Sequence, residues 1–138
     1  MIRRRLVAAL LALPLLAPMT ASAEPLQLYC KLKSKPGDWV MPDIYVLRGP
    51  KSGDPVLVLD GLIAETNNKK PLVARIEKET ADRLVISWRV DGLSTTKKNI
   101  KVQSSADLNK KSGAVQISAN LIEYNQRSFA RGTCGPAK

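Results

Sequence analysis

The sequence predicts an all-β domain of about eight short antiparallel strands, closed into a small barrel or packed as a sandwich. Three observations carry this. Apolar and β-branched residues alternate with polar ones at a period of two through most of the chain. Clusters of Gly, Pro, Asn and Asp break the alternation at roughly 12-residue intervals. Cys30 and Cys134 lie near the two ends of the segment that follows an export signal, so a disulfide there would link the first and last strands. Such a staple suits a sheet whose outermost strands are neighbours.

The strands follow in order. Leu26, Leu28, Cys30 and Leu32 share one face, with Gln27, Tyr29 and Lys31 on the other. A turn at Ser34–Asp38 leads to an extended run from Trp39 to Arg48, with an irregular start at Pro42. Gly49–Pro55 is the next turn, and Val56 to Ala64 reads as the third strand, bent or bulged at Gly61. The polar connection Thr66–Pro71 precedes a fourth run in which Leu72, Ala74 and Ile76 alternate with Val73, Arg75 and Glu77. Leu84, Ile86, Trp88 and Val90 then form the clearest core stripe, and Asp91-Gly92 reads as a tight turn. A helix over Lys70 to Val90 is the rival reading, but its apolar residues alternate better than they recur at three and four. Lys98 to Leu108 is the sixth strand, Asn109–Gly113 a hairpin loop with Gly113 suited to positive φ, and Ala114 to Ile122 the returning strand. A turn near Tyr124–Gln126 leads to the final strand, Arg127 to Cys134.

Residues 1–23 have the form of a cleaved signal peptide. Arg3, Arg4 and Arg5 are followed by an apolar stretch from Leu6 to Leu16, interrupted only by Pro14, and by the small-residue site Ala21-Ser22-Ala23. The stretch is too short to span a bilayer, which takes about 20 residues. The expected mature chain, 24–138, is a single all-β domain in the periplasm or outside the cell. Without the three leader arginines it has nineteen basic residues against twelve acids, a net charge of +7, and no histidine.

These features narrow the chemistry. Absence of histidine removes the usual general base and the commonest metal ligand, and paired cysteines offer neither thiolate nucleophile nor metal ligand. Glu77, Glu79 and Asp82 form the densest acidic group; Glu77 and Glu79 are expected on one strand face, solvated at a turn beside Lys78 and Arg83. Asp38, Asp43 and Asp60 match no calcium-loop spacing. Gly49–Gly53 lacks the ending and the strand–loop–helix setting of a phosphate loop. No catalytic residue, cofactor or metal is assigned, and the expectation is a protein that is not an enzyme.

Charge is the remaining clue. In an up-and-down meander, one end of the barrel gathers Lys35, Lys69, Lys70, Lys97, Lys98 and Arg127 against Asp38, Asp91 and Glu123, for +3; the other end comes to +1. The first end is the candidate anion-binding surface, and Trp39 beside it is the candidate stacking residue. Basic and aromatic residues interleave too sparsely for a nucleic-acid groove. The functional expectation is an exported accessory or binding domain that engages an anionic envelope component, lipid or glycan. The alternatives are an inhibitor or interaction module with an acidic protein partner, and a lipocalin-like carrier of a small ligand.

Leu28-Tyr29-Cys30 after the leader, the hairpin Asp107–Gly113 and the terminal Arg131-Gly132-Thr133-Cys134 resemble small exported β-proteins of Gram-negative envelopes. The same outline is similar to the periplasmic inhibitors of c-type lysozyme. That resemblance implies a compact β-barrel with a terminal cysteine staple. It transfers no inhibitor residues, and a +7 domain would be repelled by a basic lysozyme.

Overall fold

The computed structural model describes residues 24–93 and 99–137. Residues 1–23, which the sequence suggests are a signal peptide, and the pair Lys97–Lys98 lie outside the described residues. Nine strands form one antiparallel sheet: β1 (Leu26–Leu32), β2 (Asp43–Arg48), β3 (Val56–Asp60), β4 (Leu72–Val73), β5 (Arg75–Glu79), β6 (Arg83–Leu93), β7 (Ile100–Asn109), β8 (Ala114–Leu121) and β9 (Gln126–Pro136). A single helix, α1 (Gly61–Thr66), lies between β3 and β4.

The order across the sheet is β4-β3-β2-β1-β9-β8-β7-β6-β5. The two edge strands are consecutive in the chain, with only Ala74 between them. Residues 72–79 therefore form one run that changes partner: its first part pairs with β3, its second with β6. Ala74 sits at the change, its N–H donating to the Val56 carbonyl at 2.8 Å. This run brings the two edges of the sheet together into a nearly closed barrel, so the nine segments correspond to eight strand-length runs. On the other side β1 and β9 pair directly, with Cys30 opposite Cys134 in the ladder and their sulfurs bonded.

Alternation along each strand fills the interior. Ile44 and Val46, Val56 and Val58, Leu84 through Val90 at every second position, Val115, Ile117 and Ala119 are all buried. Each large side chain so placed contributes about 1.5–3 kcal/mol. The space left between Cys30, Ile86, Ala106, Val115 and Ile117 is about 10 Å³, at most the room of one water molecule.

Two local readings change. The third strand stops at Asp60, not Ala64, because the Asp60 carboxylate accepts from the Ile63 N–H at 2.8 Å and starts α1. Ile63 then turns fully into the core. Burial raises the Asp60 pKa against the lowering effect of the Ile63 and Leu62 N–H groups. The span 70–90 holds β4, β5 and the start of β6, as its alternation predicts, and not the rival helix. Asp91-Gly92 is not a turn: Gly92, at φ 93°, is the extra residue of a bulge, and β6 continues to Leu93.

Candidate functional site

The meander divides the connections between two rims. Among the described residues, one rim carries 33–42, 61–71 and 122–125; the other carries 49–55, 80–82 and 110–113 together with Glu24 and the end of β9. Lys35, Lys69, Lys70 and Arg127 all belong to the first rim and are exposed.

The β1–β2 connection folds inward over this rim. Asp38 accepts from the Lys35 backbone N–H at 2.7 Å and closes the turn at Gly37. Val40 then enters the core, and the Trp39 N–H donates to Ser128 Oγ at 3.2 Å. That bond places the loop beside Arg127. Trp39 is half-buried and packs against the core, so only part of its ring faces outward.

The Lys69–Lys70 pair is held by α1 and its exit loop. The Lys69 N–H donates to the Ala64 carbonyl at 2.9 Å, and Asn67 Nδ2 reaches the Lys70 carbonyl at 3.0 Å. Asn68 and Lys69 both adopt left-handed backbone, with φ of 52° and 61°. For a lysine this conformation costs about 1 kcal/mol.

Electrostatics separates the rims. Six ion pairs occur among the described residues, and none uses Lys35, Lys69, Lys70 or Arg127. Of the acids on the lysine-bearing side, Asp38 is engaged in its own turn and Asp91 pairs with Arg89 at 2.9 Å, whereas Glu65 and Glu123 are exposed, make no ion pair among the described residues and lower the net charge of this rim. The opposite rim is largely neutralised. Arg48 and Lys110 both bind Glu79, and Lys111 binds Asp82. Exposed charge without a local counterion is what a mobile or polymeric anion meets.

The Arg48 cluster escaped the sequence reading. Arg48 stands in phase with Ile44 and Val46, an inward position, and its side chain is 1% exposed. That phase was the available signal. Nη1 and Nη2 donate to the two Glu79 oxygens at 2.9 Å each, and Nε donates to the Glu24 carbonyl at 2.9 Å. Hydrogen bonds from Arg48, then Lys110, pull the Glu79 pKa down from 4.5 to about 2 against partial burial. Glu79 is therefore not a solvated turn residue. A register shift between Ile76 and Lys78 also breaks the expected alternation: Glu77 bonds Ser87 Oγ on the outer wall, whereas Glu79 turns toward Arg48. Asp38, Asp43 and Asp60 do not converge either, since Asp43 accepts from the Tyr29 hydroxyl and Asp60 caps α1. The Asp43 acceptor raises the Tyr29 pKa.

Comparison of the chain with protein-family models, with curated proteins and with solved structures finds no match. The class is therefore defined by the fold alone. This is a disulfide-stapled antiparallel barrel with a packed interior, one rim salt-bridged and the other bearing unpaired lysines.

Proposed function

We propose that the protein is an exported, non-enzymatic binding domain that engages an anionic component of the cell envelope through the rim bearing Lys35, Lys69, Lys70 and Arg127. The observation that carries this is the contrast between rims. At the opposite rim Lys110 and Lys111 are held by Glu79 and Asp82 and Lys51 stands without an ion pair, while Lys35, Lys69, Lys70 and Arg127 at the lysine rim all lack an acidic partner among the described residues. The charge is also presented on ordered backbone, since Asn67 and Asp38 fix the two lysine-bearing loops. Preorganised cations lose less freedom on binding a polyanion than cations on a floppy loop. An interior space of about 10 Å³ leaves no room for a ligand carried inside the barrel, which weighs against the lipocalin-like alternative.

Retention on immobilised heparin at low salt tests the reading. The Lys69→Gln/Lys70→Gln variant should elute at clearly lower salt than the native protein, and the Lys51→Gln/Lys111→Gln variant of the opposite rim should elute close to it. Equal losses in the two variants would reduce the effect to net charge and remove the rim from the argument.

A further inference from the structure

The outer wall of the barrel is not uniform. Outward positions on β6–β9 are mostly polar: Ser87, Ser105 and Ser118 form one row that ends at Phe129, 54% exposed, and Arg89, Gln103, Asn120 and Arg127 form another. On β2–β4 the corresponding row is Leu47, Leu57 and Val73. The next row pairs Tyr29 with Tyr45, their rings tilted at 5.2 Å between centroids. Val73 is 66% exposed, the most exposed of the large apolar side chains described, and Tyr45 is 39% exposed. Contiguous outward apolar residues on one side of a small barrel mark a contact surface.

Its surroundings specify the partner. Lys69 and Lys70 precede Val73 by four and three residues, both exposed and without an ion pair among the described residues. Arg75 follows it, 81% exposed though 3.4 Å from Glu77. Lys31 ends the neighbouring rows beside Asp43, which is hydrogen-bonded to Tyr29. An apolar strip with amphipathic tyrosines, bordered by lysines, matches the boundary between anionic headgroups and acyl chains.

We infer that the β2–β4 wall is a membrane-docking face, which lays the barrel side-on against an anionic phospholipid surface with Val73 and Tyr45 at the headgroup level and Lys69–Lys70 on the phosphates. This rests on the anion-binding reading and adds the lipid as the anion's source. Co-sedimentation of the full mature chain tests it, using vesicles of phosphatidylcholine alone and vesicles of equal parts phosphatidylcholine and phosphatidylglycerol. The native protein should sediment with the anionic vesicles and much less with the neutral ones. Val73→Asn should lower that partition about tenfold while leaving heparin retention unchanged. Lys69→Gln/Lys70→Gln should lower it about thirtyfold and weaken heparin retention as well. Tyr45→Ser is the second wall variant, and circular dichroism verifies the folding of all three. Native-like vesicle binding by both wall variants overturns the membrane face while leaving the anionic rim standing. So does a concentration-dependent dimer that Val73→Asn dissolves, which would make the wall a contact between copies. Native protein bound to neither heparin nor vesicles overturns the underlying reading itself.

Discussion

Arg48 of β2 grips Glu79 of β5 through two parallel hydrogen bonds of 2.9 Å, joining strands that do not pair with each other. The clamp lies where the barrel is least closed. β4 pairs with β3, but β5 has left β3 and pairs only with β6, and the Arg48–Glu79 bridge spans the gap that results. Removing either partner is therefore not equivalent. Glu79→Gln leaves a guanidinium 1% exposed without its counterion and should cost about 2–4 kcal/mol, whereas Arg48→Met replaces a charge with apolar volume and should cost about 1 kcal/mol. The double variant should recover much of the Glu79→Gln loss. Urea denaturation of the three variants measures this, and equal costs for the two single changes would refute the clamp's asymmetry.

The same pair sets an acid limit. Because folding lowers the Glu79 pKa from 4.5 to about 2, the unfolded chain binds its proton first as pH falls. The clamp's contribution is complete above pH 4.5 and drains away down to about 2. Solvent at the rim screens it, so the expected loss is about 1–2 kcal/mol. Stability measured at about pH 6 and about pH 3 should fall by that much more in native protein than in Arg48→Met/Glu79→Gln. Parallel pH profiles would contradict it.

How much of this was legible follows from which signals are local. Leu84, Ile86, Trp88 and Val90 announce a strand because each alternate residue is apolar, and all four are buried. Cys30 and Cys134 likewise point to neighbouring first and last strands, which the ladder bears out. Asp60 was misread because its side chain caps a helix of only six residues, too short for apolar periodicity to appear. Gly92 was misread because a bulge and a turn make the same demand for positive φ. Glu79 was missed for a different reason. Its partner is 31 residues away, and only strand order brings the two together. The lysine-bearing connections could be assigned to one end from the meander, but which acids neutralise which cations depends on tertiary distances.

Joining Cys30 to Cys134 closes a loop across 104 residues, and the bond sits on the β1–β9 seam. Reduction, or Cys30→Ala/Cys134→Ala, should lower stability by about 2–4 kcal/mol, chiefly by releasing the unfolded chain. The denaturant slope should rise at the same time, because a chain without the link exposes more surface on unfolding. An unchanged midpoint after reduction would show that the staple adds nothing to a seam already held by its ladder.

Gly132 tests how tightly that seam packs. A Cβ at this position would overlap the Lys31 carbonyl oxygen and crowd Leu32 Cα, both backbone atoms unable to swing aside. At Gly135 on the same strand no atom lies within 4 Å of the corresponding Cβ. Gly132→Ala should cost at least about 3 kcal/mol and Gly135→Ala no more than about 0.5 kcal/mol. Thermal unfolding of the two variants distinguishes them, and a harmless Gly132→Ala would mean that β1 and β9 can separate.

Lys69 sets stability against binding at a single position. Its left-handed backbone, φ 61°, strains any residue with a Cβ, and glycine would relieve it. Lys69→Gly should therefore stabilise the fold by up to about 1 kcal/mol, less the greater freedom glycine gives the unfolded chain. The variant loses an unpaired rim cation at the same time, so its elution from heparin should move to lower salt. Asn is the control, since it tolerates this backbone better than Lys and is equally uncharged. If both variants bind heparin as the native protein does, the strained lysine is an accident of the loop. If both weaken while stability holds or rises, the chain keeps an unfavourable conformation at the position where its charge is used.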